Sequence, residues 1–241
     1  LPQCANIIFM AGRKFGADGN TPLTWAMNAH VPAMVAQTFR TSRIVAFSTA
    51  CVYPFVPVTG QGAEESLPPD PPGEYAQSCV GRERMFEYFS QLHGTPGRLF
   101  RLSYAIDMRY GVLVDVARKV WAGEPVDVTM GHVNVIWQGD ANAQALRCLA
   151  VATTPTSPLN VSGPEIVSIR WLAQEFGRRF GKPAQVTGQE APTAWLMNTT
   201  AAERLFGYPR TPLLRIVDWV TDWIAREQRL YDKPTKFEVR D

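Results

Sequence analysis

Two hydroxyls and a phenol carry the clearest chemical potential in this chain. Ser48 and Thr49 close the apolar run Arg43-Ile44-Val45-Ala46-Phe47 and are followed by Ala50-Cys51-Val52-Tyr53-Pro54. Tyr75 opens a helix-like stretch after a loop dense in proline and glycine. A phenol can give a proton to a substrate oxygen or, as phenolate, remove one; a threonine hydroxyl beside it can bond the same oxygen and help relay the proton. Free tyrosine has a pKa of about 10, so only about one part in a thousand is phenolate at pH 7 unless a neighbouring cation lowers that value. Arg82 stands seven residues after Tyr75, on the same face of a helix. It either faces the phenol as a cation or pairs with a surface acid. Glu64 and Glu65 read as a solvated loop, Asp140 as a helix cap and Asp107 as a turn residue.

Other chemistries find little support. Cys4, Cys51, Cys79 and Cys148 are far apart and form no CxxC, which reads as free thiols in a reducing cytoplasm. His30, His93 and His132 have no ligand spacing, so no metal site is predicted. With a net charge of +2 and no basic block, neither nucleic acid nor an anionic membrane is an indicated partner. No apolar run approaches membrane-spanning length and no signal-peptide pattern is present. The 241 residues, 46% hydrophobic and 19% charged, suffice for a sizeable core.

The elements that must position these groups follow from pattern. Ala5-Asn6-Ile7-Ile8-Phe9-Met10 reads as a buried strand ending at Ala11-Gly12, with a loop at Gly16, Asp18, Gly19 and Asn20. A helix over 22–38 has Pro22 at its start and is kinked or divided by Pro32. Strands over 43–49 and 98–104 flank a helix over 74–92. The alternation implies an α/β fold with a parallel sheet and crossover helices. Beyond residue 110 the pattern changes: helices over 112–122, 140–151, 168–180, 200–206 and 213–226, short β-type pieces over 126–128 and 133–137, and a buried strand over 158–161. Ser168 is placed to cap its helix and Gly207 to end another. The tail over 233–241 reads as irregular.

Set in order, these segments resemble the extended short-chain dehydrogenase/reductases of the NAD(P)-dependent sugar epimerase/dehydratase type. Ser48-Thr49-Ala50-Cys51-Val52-Tyr53-Pro54 is similar to the family's Ser-Ser-x-x-Val-Tyr-Gly strand end, and Tyr75 to its catalytic tyrosine. Phe9-Met10-Ala11-Gly12-Arg13-Lys14-Phe15-Gly16 resembles the strand end where a small-residue pair lets the dinucleotide lie close and a lysine reaches it. Val135-Ile136-Trp137-Gln138-Gly139-Asp140-Ala141, Pro158-Leu159-Asn160-Val161-Ser162-Gly163 and Leu205-Phe206-Gly207-Tyr208-Pro209 resemble later family segments. The resemblance covers nearly the whole chain. It implies Thr49 and Tyr75 as catalytic residues; Ala11, Gly12, Lys14, Asn28, Ser48 and Tyr104 as cofactor-binding, with simple packing equally open for Tyr104; and Arg109 and Tyr110 as substrate contacts. It implies NAD or NADP as cofactor, a sugar-like small-molecule substrate, a homodimer and a cytoplasmic setting.

Two departures qualify the resemblance. The family's lysine, four residues after the tyrosine, is here Cys79, so Arg82 or Lys14 is left to supply the missing positive charge. No GxxGxxG or GxGxxG precedes the first strand. The resemblance therefore implies a partial Rossmann-type, doubly wound sheet whose N-terminal half lies outside the sequence: roughly 60–80 residues upstream of Leu1. By itself, this chain is expected to bind NAD(P) weakly or not at all. Residues 1–110 would be the second half of the dinucleotide-binding domain. Residues 111–241 would be mostly a smaller α/β substrate lobe, with 133–162 returning to the sheet. The expected activity is oxidoreduction, epimerisation or dehydration of a sugar or sugar-acid derivative by hydride transfer with tyrosine acid/base chemistry. The alternative is a non-catalytic dinucleotide-binding or scaffold relative, which Cys79 favours.

Overall fold

In the computed structural model, residues 2–14, 19–231, 233 and 235–240 are described; Phe15, Gly16 and Asp18, read above as strand end and loop, lie outside these residues. Four strands, β1 (Asn6–Phe9), β2 (Arg43–Thr49), β3 (Gly97–Leu102) and β4 (Ser157–Val161), form one parallel sheet in the order β1-β2-β3-β4. The register runs Phe9 beside Ala46, Ala46 beside Leu99, and Phe100 beside Leu159.

Side chains alternate across a strand, so both faces of a covered parallel sheet must be apolar. On one face Phe9, Ile44, Ala46 and Leu99 pack with Ala36, Phe39 and Phe86 of the helical layer. On the other, Val45, Phe100, Leu159 and Val161 pack with Ala141, Ala145 and Cys148. The first layer comprises α1 (Thr21–Trp25), α2 (Val31–Thr38) and α3 (Glu74–His93). The helix expected over 22–38 is divided, and the divide is a π-helical turn, Ala26–His30. Pro32 has no N–H to give the carbonyl of Asn28, four residues back, and the ladder widens to a five-residue spacing just before it.

A second core gathers α4 (Val112–Ala122), α6 (Ile169–Phe180) and α8 (Leu213–Ala225), with Leu113, Val116, Leu172, Phe176, Ile216 and Val220 buried among them. Between these, α5 (Gln138–Cys148) covers the sheet, and α7 (Thr200–Phe206) contributes Ala202 to the same cluster. Ser168 caps α6 by accepting from the Trp171 N–H, and Gly207 ends α7 at φ 78°. Asp140 does not cap α5; it lies inside that helix and accepts from the Thr211 N–H. Glu65 is also not merely solvated, since its carboxylate accepts from the Asn160 N–H. No helix among the described residues is long and apolar enough to cross a membrane.

One polar network crosses the sheet's interior. Arg101 on β3 makes two bonds to Glu83 on α3, Nε to Oε1 at 2.9 Å and Nη2 to Oε2 at 2.6 Å, with both side chains buried. Ser48 donates to the same carboxylate, and the third Arg101 bond goes to the Tyr53 hydroxyl, which donates to Asn160 on β4. Removing one charge of a buried pair strands the other, at a cost of about 3–5 kcal/mol. Glu83→Gln is therefore expected to lower stability by about that amount in urea unfolding. Arg101→Gln should do likewise, and the double substitution should cost clearly less than the sum of the singles.

Candidate active site

At the carboxyl ends of β2 and β3 a cleft of about 290 Å³ opens between the sheet and the second core. Thr49 and Tyr75 both line it, with Lys14, Ser48, Cys51, Ser103, Tyr104, Tyr110 and Trp195. Thr49 ends β2 in extended conformation, and its Oγ1 accepts from the Cys51 N–H at 3.2 Å, capping a short 3-10 turn over Ala50–Val52. Tyr75 sits in the first turn of α3, which begins where Gly73 adopts φ 76°, a conformation that favours glycine.

Tyr75 and Cys79, one turn apart on α3, pack in the same buried cluster. Burial holds the Tyr75 proton well above the ordinary tyrosine range; the neighbouring Cys79 and Cys51 add to this, and the Arg82 charge opposes it. Burial likewise raises the Cys79 thiol, against the Arg82 charge. Cys51 is pushed up to about 11 by burial, opposed by its bond with Thr49. These cysteines are neutral thiols at physiological pH, which argues against a nucleophilic role.

Arg82 is not a surface group with an acidic partner. It is 7% exposed, donates from Nη1 to the Phe47 carbonyl at 2.8 Å and from Nη2 to Asn28 Oδ1 at 2.7 Å, and its Nε has no partner. No carboxylate lies within ion-pair reach of it among the described residues. Tyr75, Cys79 and Arg82 occupy successive turns on one face of α3, so an uncompensated guanidinium stands behind the phenol and thiol.

Asn28 organises this corner. It lies in the π-helical turn, fully buried, and accepts from the Arg13 N–H at 2.8 Å as well as from Arg82. Its amide donates to the Arg13 carbonyl and to Ser78 Oγ, which donates to the Tyr75 carbonyl. It thereby fixes the β1 exit to the helix that bears Tyr75. Gly12 is needed beside it: a Cβ there would stand 2.2 Å from Arg82 Nη2 and 2.8 Å from Asn28 Oδ1. Ala11 is exposed at the same strand end.

The remaining residues singled out from sequence divide. Tyr104, Tyr110 and Lys14 meet in the cleft, where the Lys14 ammonium lies 5.6 Å from the Tyr110 ring centroid. Tyr104 adopts φ 31°, unusual for a bulky residue, and burial raises its phenol far above the ordinary range. Ala11, Gly12, Asn28 and Arg82 stand behind or beside the cleft and do not line it. Arg109 also does not line the cleft: it is paired with Asp107 at 2.8 Å and stacks on Tyr231. Pattern reading did not find Trp195, Thr235 or Lys236 as cleft residues. Trp195 arrives because Thr193–Ala194 pairs antiparallel with Val56–Pro57, a contact spanning well over a hundred residues that no local signal announces.

The site has features that fit the nicotinamide end of a dinucleotide. The cleft lies where α/β sheets hold cofactors, beyond the carboxyl ends of parallel strands. Ser103 Oγ is buried there without a partner, and Lys14 offers a cation at the exit of β1.

No family model and no curated protein matches the chain. Solved structures do. UDP-glucuronic acid 4-epimerase from Bacillus cereus, with UDP-glucuronic acid and NAD, aligns over 92% of this chain and 76% of its own, at 14% identity and TM-score 0.78. UDP-glucose 4-epimerase from Thermotoga maritima, with UDP-glucose, aligns over 92% and 78% at 13% identity and TM-score 0.77. A UDP-galactose 4-epimerase aligns over 93% and 79% at 17% identity and TM-score 0.73. Identity this low speaks to architecture alone: the chain shares the Rossmann-type α/β fold of these solved epimerase structures.

Proposed function

We propose that the protein is an NAD(P)-dependent oxidoreductase or epimerase/dehydratase acting on a sugar or sugar-acid derivative, with Tyr75 as proton donor and acceptor and Thr49 as its hydroxyl partner. The observation that carries this reading is the convergence of Thr49 and Tyr75 on one cleft at the carboxyl ends of the parallel strands. Lys14 and Tyr104 would hold the nicotinamide end. Bound there, the nicotinamide would supply the two-electron exchange at the substrate carbon.

The chain's own groups do the proton work. Tyr75 rests as neutral phenol, the form that protonates a developing alkoxide. Running in reverse, it must release that proton, and burial resists this. Arg82 takes the part of the cation that Cys79 cannot supply: it is buried, has no carboxylate partner among the described residues, and lowers the proton affinity of both Tyr75 and Cys79. Lys14 adds a second positive charge at the cleft wall. Thr49 offers its hydroxyl to the same substrate oxygen.

The second reading, a non-catalytic dinucleotide-binding or scaffold relative, draws on Cys79 and on the high proton affinity of Tyr75. Because no glycine-rich turn is present in residues 1–241, we infer that these residues alone hold NAD or NADP weakly or not at all. A homodimer is supported by apolar residues left exposed on neighbouring helices, Met34 on α2 and Tyr88 and Leu92 on α3. The four free cysteines fit a cytoplasmic setting.

Turnover of sugars and sugar acids with NAD(P), by protein that binds the dinucleotide, separates the two readings. Tyr75→Phe is expected to abolish it and Thr49→Val to lower it about 10²-fold or more; full activity in Tyr75→Phe would remove Tyr75 from the mechanism, and no turnover by wild type that binds the dinucleotide would leave only the scaffold reading. Arg82→Gln should move the rising limb of the pH–rate profile to higher pH, since the opposing charge is lost. Independently of activity, Tyr75 should contribute no tyrosinate absorbance at 295 nm up to about pH 10, so wild type and Tyr75→Phe should give superimposable titrations in that range.

A further inference from the structure

We propose that Tyr104, Tyr110 and Trp195 form an aromatic wall of the cleft that takes a planar aromatic ring bearing a carbonyl oxygen, with the Ser103 hydroxyl donating to that oxygen. Aryl ketones and aldehydes would then be a second ligand class for this protein. The inference goes beyond the sugar reading and does not depend on it, because it concerns binding and not turnover.

The three rings reach the cleft from different segments, and each segment is held. Trp195 is 5% exposed; its indole N–H donates to the Tyr53 carbonyl at 3.0 Å, and its ring centroid lies 4.6 Å from that of Phe55. Tyr110 closes a tight turn in which it and Asp107 exchange both backbone hydrogen bonds, at 3.0 and 3.1 Å. The Tyr104 carbonyl accepts from the Ile136 N–H, and its side chain packs against the second core. Rings fixed before a ligand arrives lose little freedom when it binds.

Two independent features of the lining select the ligand. The first is its make-up. Leu102, Ala105 and Ala50 extend the aromatic wall, and the charged members are Lys14 and Lys236; among the described residues no carboxylate, carboxamide or guanidinium lines the cleft. A pocket so built binds through apolar contact and uses a few polar groups to set orientation. A planar ring fits it best, since its face and edge both find favourable geometry against other rings. The second feature is Ser103. It is 3% exposed, lines the cleft beyond the end of β3, and its hydroxyl has no partner. A buried hydroxyl left unpaired is a deficit that one ligand oxygen removes. A carbonyl does this as a pure acceptor, bringing no further proton that an apolar wall would leave unsatisfied.

The test is calorimetric binding of three probes to the full chain: 1-tetralone, an aryl ketone; 1-decalone, its saturated counterpart; and tetralin, the same aromatic ring without the oxygen. Folding of each variant is checked by circular dichroism. Wild type should bind 1-tetralone about tenfold tighter than 1-decalone. Tyr110→Leu and Trp195→Leu should each remove most of that preference, and Tyr110→Leu alone decides the point if Trp195→Leu does not fold. Tyr88→Leu, on the exposed side of α3, should leave it intact. Ser103→Ala should weaken 1-tetralone about tenfold and leave tetralin unchanged. The inference is overturned if wild type holds 1-tetralone no better than 1-decalone, or if Tyr110→Leu keeps the preference. It is also overturned if nicotinamide displaces 1-tetralone, since the aromatic wall would then be the seat of the cofactor ring. Binding of 1-tetralone by a protein that turns over no sugar would uphold this inference and remove the sugar reading; sugar turnover by a protein indifferent to 1-tetralone would do the reverse.

Discussion

The buried pair of Glu83 and Arg101 is the interaction on which the sheet half depends. An isolated charge in that interior would cost several kcal/mol, so each is tolerable only with the other in place. Arg101 satisfies the carboxylate with two bonds, and Ser48 and Tyr53 take up the remaining capacity of the cluster. The result ties α3 to β2 and β3 and, through Asn160, to β4. Its consequence for the site is positional. Ser48 precedes Thr49, and Glu83 lies two turns along the helix from Tyr75, so the same cluster sets the strand end and the helix that face each other across the cleft.

A second tension lies one layer out. Burial keeps Tyr75, Cys79 and Cys51 protonated; the buried guanidinium of Arg82 pulls the other way at Tyr75 and Cys79, as Thr49 does at Cys51. Arg82 is held by a carbonyl and an amide oxygen, neither of which cancels its charge. A carboxylate in either place would have neutralised it. Asn28 supplies that neutral acceptor, and the π-helical turn ahead of Pro32 carries it. Gly12 leaves the room that the guanidinium fills. Position 79, where the resemblance implies a lysine, carries a thiol, and the buried cation stands farther along the same helix face at Arg82.

The cleft has walls from both cores. Trp195 comes from a strand pairing between distant segments, Tyr104 and Tyr110 from the connection after β3, and Lys236 from the tail. Its floor belongs to the sheet half, whereas its rim belongs largely to the segments after residue 100.

What the sequence determined by itself was whatever depends on near neighbours in the chain. Short continuous apolar runs made β2, β3 and β4 legible, glycine and serine signals bounded α6 and α7, and the spacing of Tyr75, Cys79 and Arg82 put them on one helix face. Thr49 and Tyr75 could be paired because the segments around them, a strand end and a helix start, resemble a known family's motifs in order. Only the tertiary structure decided the environment of Arg82: an acid near it in sequence, Glu83, faces another strand, and its real partners are Phe47 and Asn28. Only it placed Arg109 outside the cleft and brought Trp195 and Lys236 in. The physical reason is common to all of these. Burial, charge compensation and cleft walls depend on contacts between residues remote in the chain, which periodicity and spacing do not encode.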